Sequence, residues 1–168
     1  MINRKLTSSK TFSIYKYIFV LLLLSYILGI CIGSFFVFSN KVNAEFTHRI
    51  ISNYDFKVLL YFITALLLKY SGVLSGLLAA LPLFLGIQNS AGYSCKIMNP
   101  FTIKYEAALT AIKDTAVIML LIFYIIIIIN QIINKRYQLK KDLKHFCVYF
   151  SGALIVILLH ILIRTIIF

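Results

Sequence analysis

Four apolar stretches, separated by short polar ones, account for nearly the whole chain. The first runs from Tyr17 to Phe38. At 1.5 Å per residue it makes roughly 33 Å of helix, enough to cross a ~30 Å hydrocarbon core. The second runs from Val58 to Ile87 and is broken once, at Lys69-Tyr70-Ser71-Gly72. The third, Ala107 to Asn130, is Ile-rich in its second half but carries Lys113 and Asp114 in its first. The fourth is Phe146 to Phe168. Asn99-Pro100 predicts a helix end, because a residue before proline avoids the helical region. No internal repeat and no soluble domain stand out. The pattern predicts an all-α polytopic membrane protein, a single integral membrane domain over residues 1–168.

Composition agrees with that class. The chain is 61% apolar, against about 45–50% for soluble domains. So short a chain has no soluble core to take the excess. A cleaved leader is the competing reading of the first stretch, with small residues at Val42-Asn43-Ala44. The stretch is longer than a signal core and resembles the later ones, so we expect a retained helix.

The net charge is +12. Its placement matters more than its size. One basic cluster is Arg4, Lys5, Lys10 and Lys16; the other is Lys135, Arg136, Lys140, Lys141 and Lys144. Both flank apolar stretches rather than lining one polar face, so the expected partner is the lipid bilayer and not nucleic acid. Cytoplasmic loops carry the excess of Lys and Arg. Placing both clusters in the cytoplasm requires an even number of crossings between them. That splits the second stretch at Ser71-Gly72, with Lys69 reaching back to the cytoplasmic surface. The expected spans are 17–38, 56–70, 73–95, 107–130 and 146–168, with the N-terminus cytoplasmic and the C-terminus outside. A re-entrant hairpin over 58–95 is the alternative.

Candidate chemistry is sparse. The chain has no serine elbow, no paired carboxylates and no HExxH, and His48, His145 and His160 fall in three segments. Cys31, Cys95 and Cys147 have no metal-ligand spacing. The expectation is a protein that is not an enzyme and has no cofactor or metal. Asp114 is the acid expected to enter hydrocarbon, where carboxylates are costly and point to function. It falls level with Arg164 and with His160, four residues earlier on the same helix face. These three make a candidate intramembrane ion pair, either structural or part of an ion pathway. Gly29 with Gly33 and Gly72 with Gly76 are candidate close-packing positions. Pro82, Gly86, Gly92 and the polar run Gln88–Ser94 suggest a helix end or bend, with a broken helix lining a cavity as the alternative.

The first stretch contains Tyr17-Ile18-Phe19-Val20 and then Gly29-Ile30-Cys31-Ile32-Gly33-Ser34-Phe35-Phe36. It resembles the first membrane helix of the stage II sporulation protein M family. Ser71-Gly72, Gly76, Pro82-Leu83 and Ala91-Gly92-Tyr93 are similar to the small-residue pattern of that family's central helices. The resemblance implies five spans in the bacterial cytoplasmic membrane, no cofactor and no catalytic residues. It implies a scaffold that localises peptidoglycan-degrading enzymes during engulfment in spore formation. The alternative from another class is a small transporter or permease subunit that uses Asp114. Neither reading gives an oligomeric state.

Overall fold

A computed structural model describes the backbone of residues 2–39, 54–98 and 104–167, and most side chains of 14–36, 55–90 and 106–167. Among the described residues the chain is helical with no strand. Five α-helices follow in order: α1 (Ile2–Ser39), α2 (Tyr54–Tyr70), α3 (Ala80–Met98), α4 (Lys104–Ile133) and α5 (Leu139–Ile167). A 3-10 stretch, Gly72–Ala79, leads into α3. Three segments are long and apolar enough to cross a membrane: Ile14–Phe36 of α1, Ala108–Ile133 of α4 and the whole of α5.

The breaks follow from local chemistry. α2 stops where Ser71 turns back, its amide and its Oγ both donating to the Leu68 carbonyl, at 3.3 and 2.7 Å. Gly72 then takes a φ of +62°, which a Cβ disfavours. Pro82 falls in the first turn of α3, where its missing N–H leaves no intrahelical bond unmade. α4 ends in a Schellman motif: the Arg136 amide donates to Gln131 O at 2.8 Å and the Lys135 amide to Ile132 O at 3.0 Å. Lys135 holds the left-handed position that glycine usually fills, with a φ of 51°.

Two expectations are corrected here. The polar run Gln88–Ser94 is not a broken helix; α3 passes through it without interruption. The basic hairpin expected over Asn134–His145, between the third and fourth apolar stretches, is also tighter than its charges suggest, since Lys140 to His145 already belong to α5.

The helices sort into two groups. α1 packs most extensively against α3, while α2, α4 and α5 contact one another. α4 joins the groups through contacts with α1 and α3, including Phe19 stacked on Phe123 with ring centroids 5.8 Å apart. The core lies mainly on α2 and α4. Phe62, Ala65, Leu121, Ile122 and Ile125 are fully buried there, with Ala153 of α5. The large apolar side chains on the outer faces of α1 and α5 are exposed. That distribution suits lipid rather than water as the surrounding solvent.

Candidate functional site: two polar clamps and a glycine seam

Charged side chains do not scatter over the α2–α4–α5 group. They gather at its two ends. At the first end Lys69, from the last turn of α2, forms an ion pair with Asp142, from the first turn of α5. Their side chains are 0% and 2% exposed, so neither is solvated by bulk water. The Lys69 ammonium also donates to Gln131 Oε1 of α4 at 2.8 Å. Tyr70 donates its hydroxyl to the same Asp142 oxygen that Lys69 holds. The rings of Tyr70 and Tyr137 lie 5.5 and 5.9 Å from the ammonium, within cation–π range. One lysine thus ties three helices.

Below this clamp an aromatic layer fills the same three-helix junction. Phe62 stacks on Tyr124 at 5.8 Å, Tyr124 meets Tyr149 at 5.8 Å, and Phe146 stacks on Phe150 at 5.1 Å. The Tyr124 hydroxyl and Asp142 Oδ1 are buried without a hydrogen-bond partner among the described residues.

The opposite end repeats the plan with different residues. Lys113 of α4 pairs with Asp55, in the first turn of α2, and with its own neighbour Asp114 at 3.1 Å. Arg164 of α5 pairs with Glu106 of α4 at 2.7 Å. Asp55, Val58, Asp114, Val117 and Ile157 surround a small gap between the three helices. Each helix therefore carries polar groups at both ends. Lys113 and Gln131 lie about 27 Å apart along α4, as do Asp142 and His160 along α5 (18 residues at 1.5 Å each). That spacing is close to the ~30 Å hydrocarbon thickness.

The α1–α3 group has no ion pair between described side chains of its two helices. Its contact is backbone to backbone. A Cβ built on Gly29 would strike the Leu83 carbonyl, and one on Gly33 would reach Ile87 Cα at 2.9 Å. A Cβ on Gly86 would reach Ile30 N at 2.9 Å and Gly29 Cα at 3.0 Å. Only residues without a side chain permit this approach. Asn89 of α3 donates to the Tyr26 hydroxyl of α1 at 2.8 Å, and Ser25 donates to Ala79 O at 3.1 Å.

The structure distributes the sequence-derived candidates as follows. Gly29 and Gly33 face α3, whereas Gly72 and Gly76 meet no neighbouring atom within 4 Å. Gly72 makes a turn instead. Asp114, His160 and Arg164 gather at one end of the bundle. The contact shown for Asp114 is with Lys113, and the one shown for Arg164 is with Glu106. Lys69 is a correction: it is buried and paired rather than extended to the surface, because Asp142 gives it a partner inside. Asp55, Glu106, Lys113, Gln131 and Asp142 are the residues that sequence reasoning did not single out. A signal for one pair existed. Lys69 is the one cation inside the second apolar stretch, and Asp142 the one acid among the basic residues of the hairpin.

Among the described residues, the fold and this layout define an all-helical protein with three membrane-capable helices. No protein-family model, curated protein or solved structure matches the chain. Among the described residues no group of three or more His, Cys, Asp or Glu side chains could hold a metal ion.

Proposed function

We propose that this protein is a multi-pass protein of the bacterial cytoplasmic membrane that acts as a non-enzymatic scaffold. The observation that carries this reading is how the charged groups are used. At both ends of the α2–α4–α5 group they bind one another across helices. Between the ends lie Phe62, Ala65, Leu121, Ile122, Ile125 and Ala153, all fully buried. Paired charges at the rims and a dry apolar middle hold helices at fixed positions. They favour a rigid platform over an ion pathway through Asp114.

The clamps also support five crossings. α2 is 17 residues long, about 26 Å at 1.5 Å per residue, which is short for a span. It is nevertheless tied to α4 at both ends and to α5 at one, so it runs alongside two helices long enough to cross. With the basic hairpin in the cytoplasm, the Lys69–Asp142 clamp lies at the inner surface and the Lys113–Asp55 clamp at the outer one. Cysteine-specific labelling of intact cells tests this, after the native cysteines are replaced. A cysteine at Asn43 is expected to label from outside and one at Lys140 only after permeabilisation.

The cellular setting we propose is that of the sporulation protein M type: localising peptidoglycan-remodelling partners during engulfment. It rests on the residues of the first span and the central small-residue pattern quoted above. A deletion strain is expected to stall during engulfment. Normal engulfment with normal spore yield would overturn that setting, and solute transport that depends on Asp114 in vesicles would replace the scaffold with a permease.

A further inference from the structure

Beside the Lys113–Asp55 clamp the bundle carries an open surface cavity of about 480 Å³ lined by Asp55, His160, Ile161, Arg164 and Thr165. Its two walls carry opposite charge. α2 supplies the Asp55 carboxylate, and α5 supplies the Arg164 guanidinium and the His160 imidazole. Both charged groups are only partly spent on their protein partners. Lys113 bonds one Asp55 oxygen, and that side chain stays 37% exposed. Glu106 engages one terminal nitrogen of Arg164, and that side chain stays 58% exposed. A guanidinium has five N–H donors, so others remain for a second carboxylate.

We propose that this cavity binds a small zwitterion, a free amino acid or a short peptide. The ligand ammonium would sit on Asp55 and its carboxylate on Arg164. A simple anion would leave Asp55 facing it, and a simple cation would leave Arg164 facing it. A molecule with both charges satisfies both walls. The cavity holds such a molecule with room for a side chain. This inference depends on the geometry of one end of the bundle and not on the cellular role proposed above.

The test is calorimetry on the full chain in lipid nanodiscs, with glycine and alanyl-alanine as probes and N-acetylglycine and glycinamide as capped controls. Both zwitterions are expected to bind at least tenfold more tightly than the capped compounds. Arg164→Gln is expected to erase the preference for glycine over glycinamide. Asp55→Asn is expected to erase the preference for glycine over N-acetylglycine. Ile161→Trp keeps every charge and fills the cavity, so it is expected to abolish binding while thermal unfolding stays unchanged. Three outcomes would overturn the proposal: no binding of either zwitterion to folded protein, equal binding of capped and uncapped probes, or full binding by a folded Ile161→Trp variant. The scaffold reading is judged separately in cells, so a failure here leaves it intact.

Discussion

The two helix groups solve the same problem by opposite means. In the membrane setting proposed above, lipid offers no hydrophobic drive for helices to associate, since the tails are as apolar as leucine. α1 and α3 associate by removing side chains, so that backbones meet across Gly29, Gly33 and Gly86. α2, α4 and α5 associate by adding charge at their rims, with Lys69, Asp142, Lys113 and Asp55 in ion pairs. The first device is spread along a seam and tolerates no extra bulk. The second is concentrated at two points and tolerates no lost partner. A small protein built this way has one group fixed by shape and another fixed by charge, joined through α4.

The comparison predicts different kinds of fragility. The largest single loss is expected from Lys69→Met. It leaves Asp142 buried without a counter-charge, and removing one member of a buried pair costs about 3–5 kcal/mol. Thermal unfolding in nanodiscs reads this directly; an unchanged melting temperature would mean that the pair holds nothing together. Next comes Gly86→Leu. Its Cβ would collide with the backbone of α1, and overpacking of this kind costs about 1–3 kcal/mol. Disulfide crosslinking between cysteines placed on α1 and α3 is expected to fall while crosslinking of α2 to α5 persists. Loss of both crosslinks together would merge the two groups into one.

Smaller effects sharpen the boundary. Asn89→Leu removes the bond to Tyr26 and is expected to cost about 0.6 kcal/mol, the mean for interhelical hydrogen bonds in membranes. Arg164→Gln breaks a pair in which the arginine is 58% exposed. Solvent screening limits that loss to about 0–1 kcal/mol, far below the effect at Lys69. Gly76→Ala is a control for the seam. Gly76 has open space around it, so its unfolding temperature is expected to stay at the parental value.

Much of the fold was legible because it is written in local chemistry. The break at Ser71-Gly72 follows from a residue that tolerates positive φ. The helix end expected at Asn99-Pro100 lies outside the described residues. The seam at Gly29 and Gly33 shows in the spacing of residues without side chains. The clamps were not legible in the same way. Lys69 and Asp142 are 73 positions apart in sequence, and each alone reads as a surface charge near a helix end. Their pairing depends on α2 lying against α5, which no local pattern encodes. The polar run Gln88–Ser94 misled for a related reason. Its polar side chains find partners within the fold, Asn89 on Tyr26 and Ser90 on the Ile87 carbonyl, so the helix has no need to break.

The claim that each buried rim charge depends on its partner is tested most directly by a double-mutant cycle at positions 69 and 142. Lys69→Met and Asp142→Leu are made singly and together, and unfolding free energy is measured for all four proteins in the same nanodiscs. Each single change is expected to destabilise by about 3–5 kcal/mol, and the double change to recover most of that loss, because an apolar pair leaves no buried charge unmatched. Additive losses in the double variant, or single variants as stable as the parent, would contradict the account.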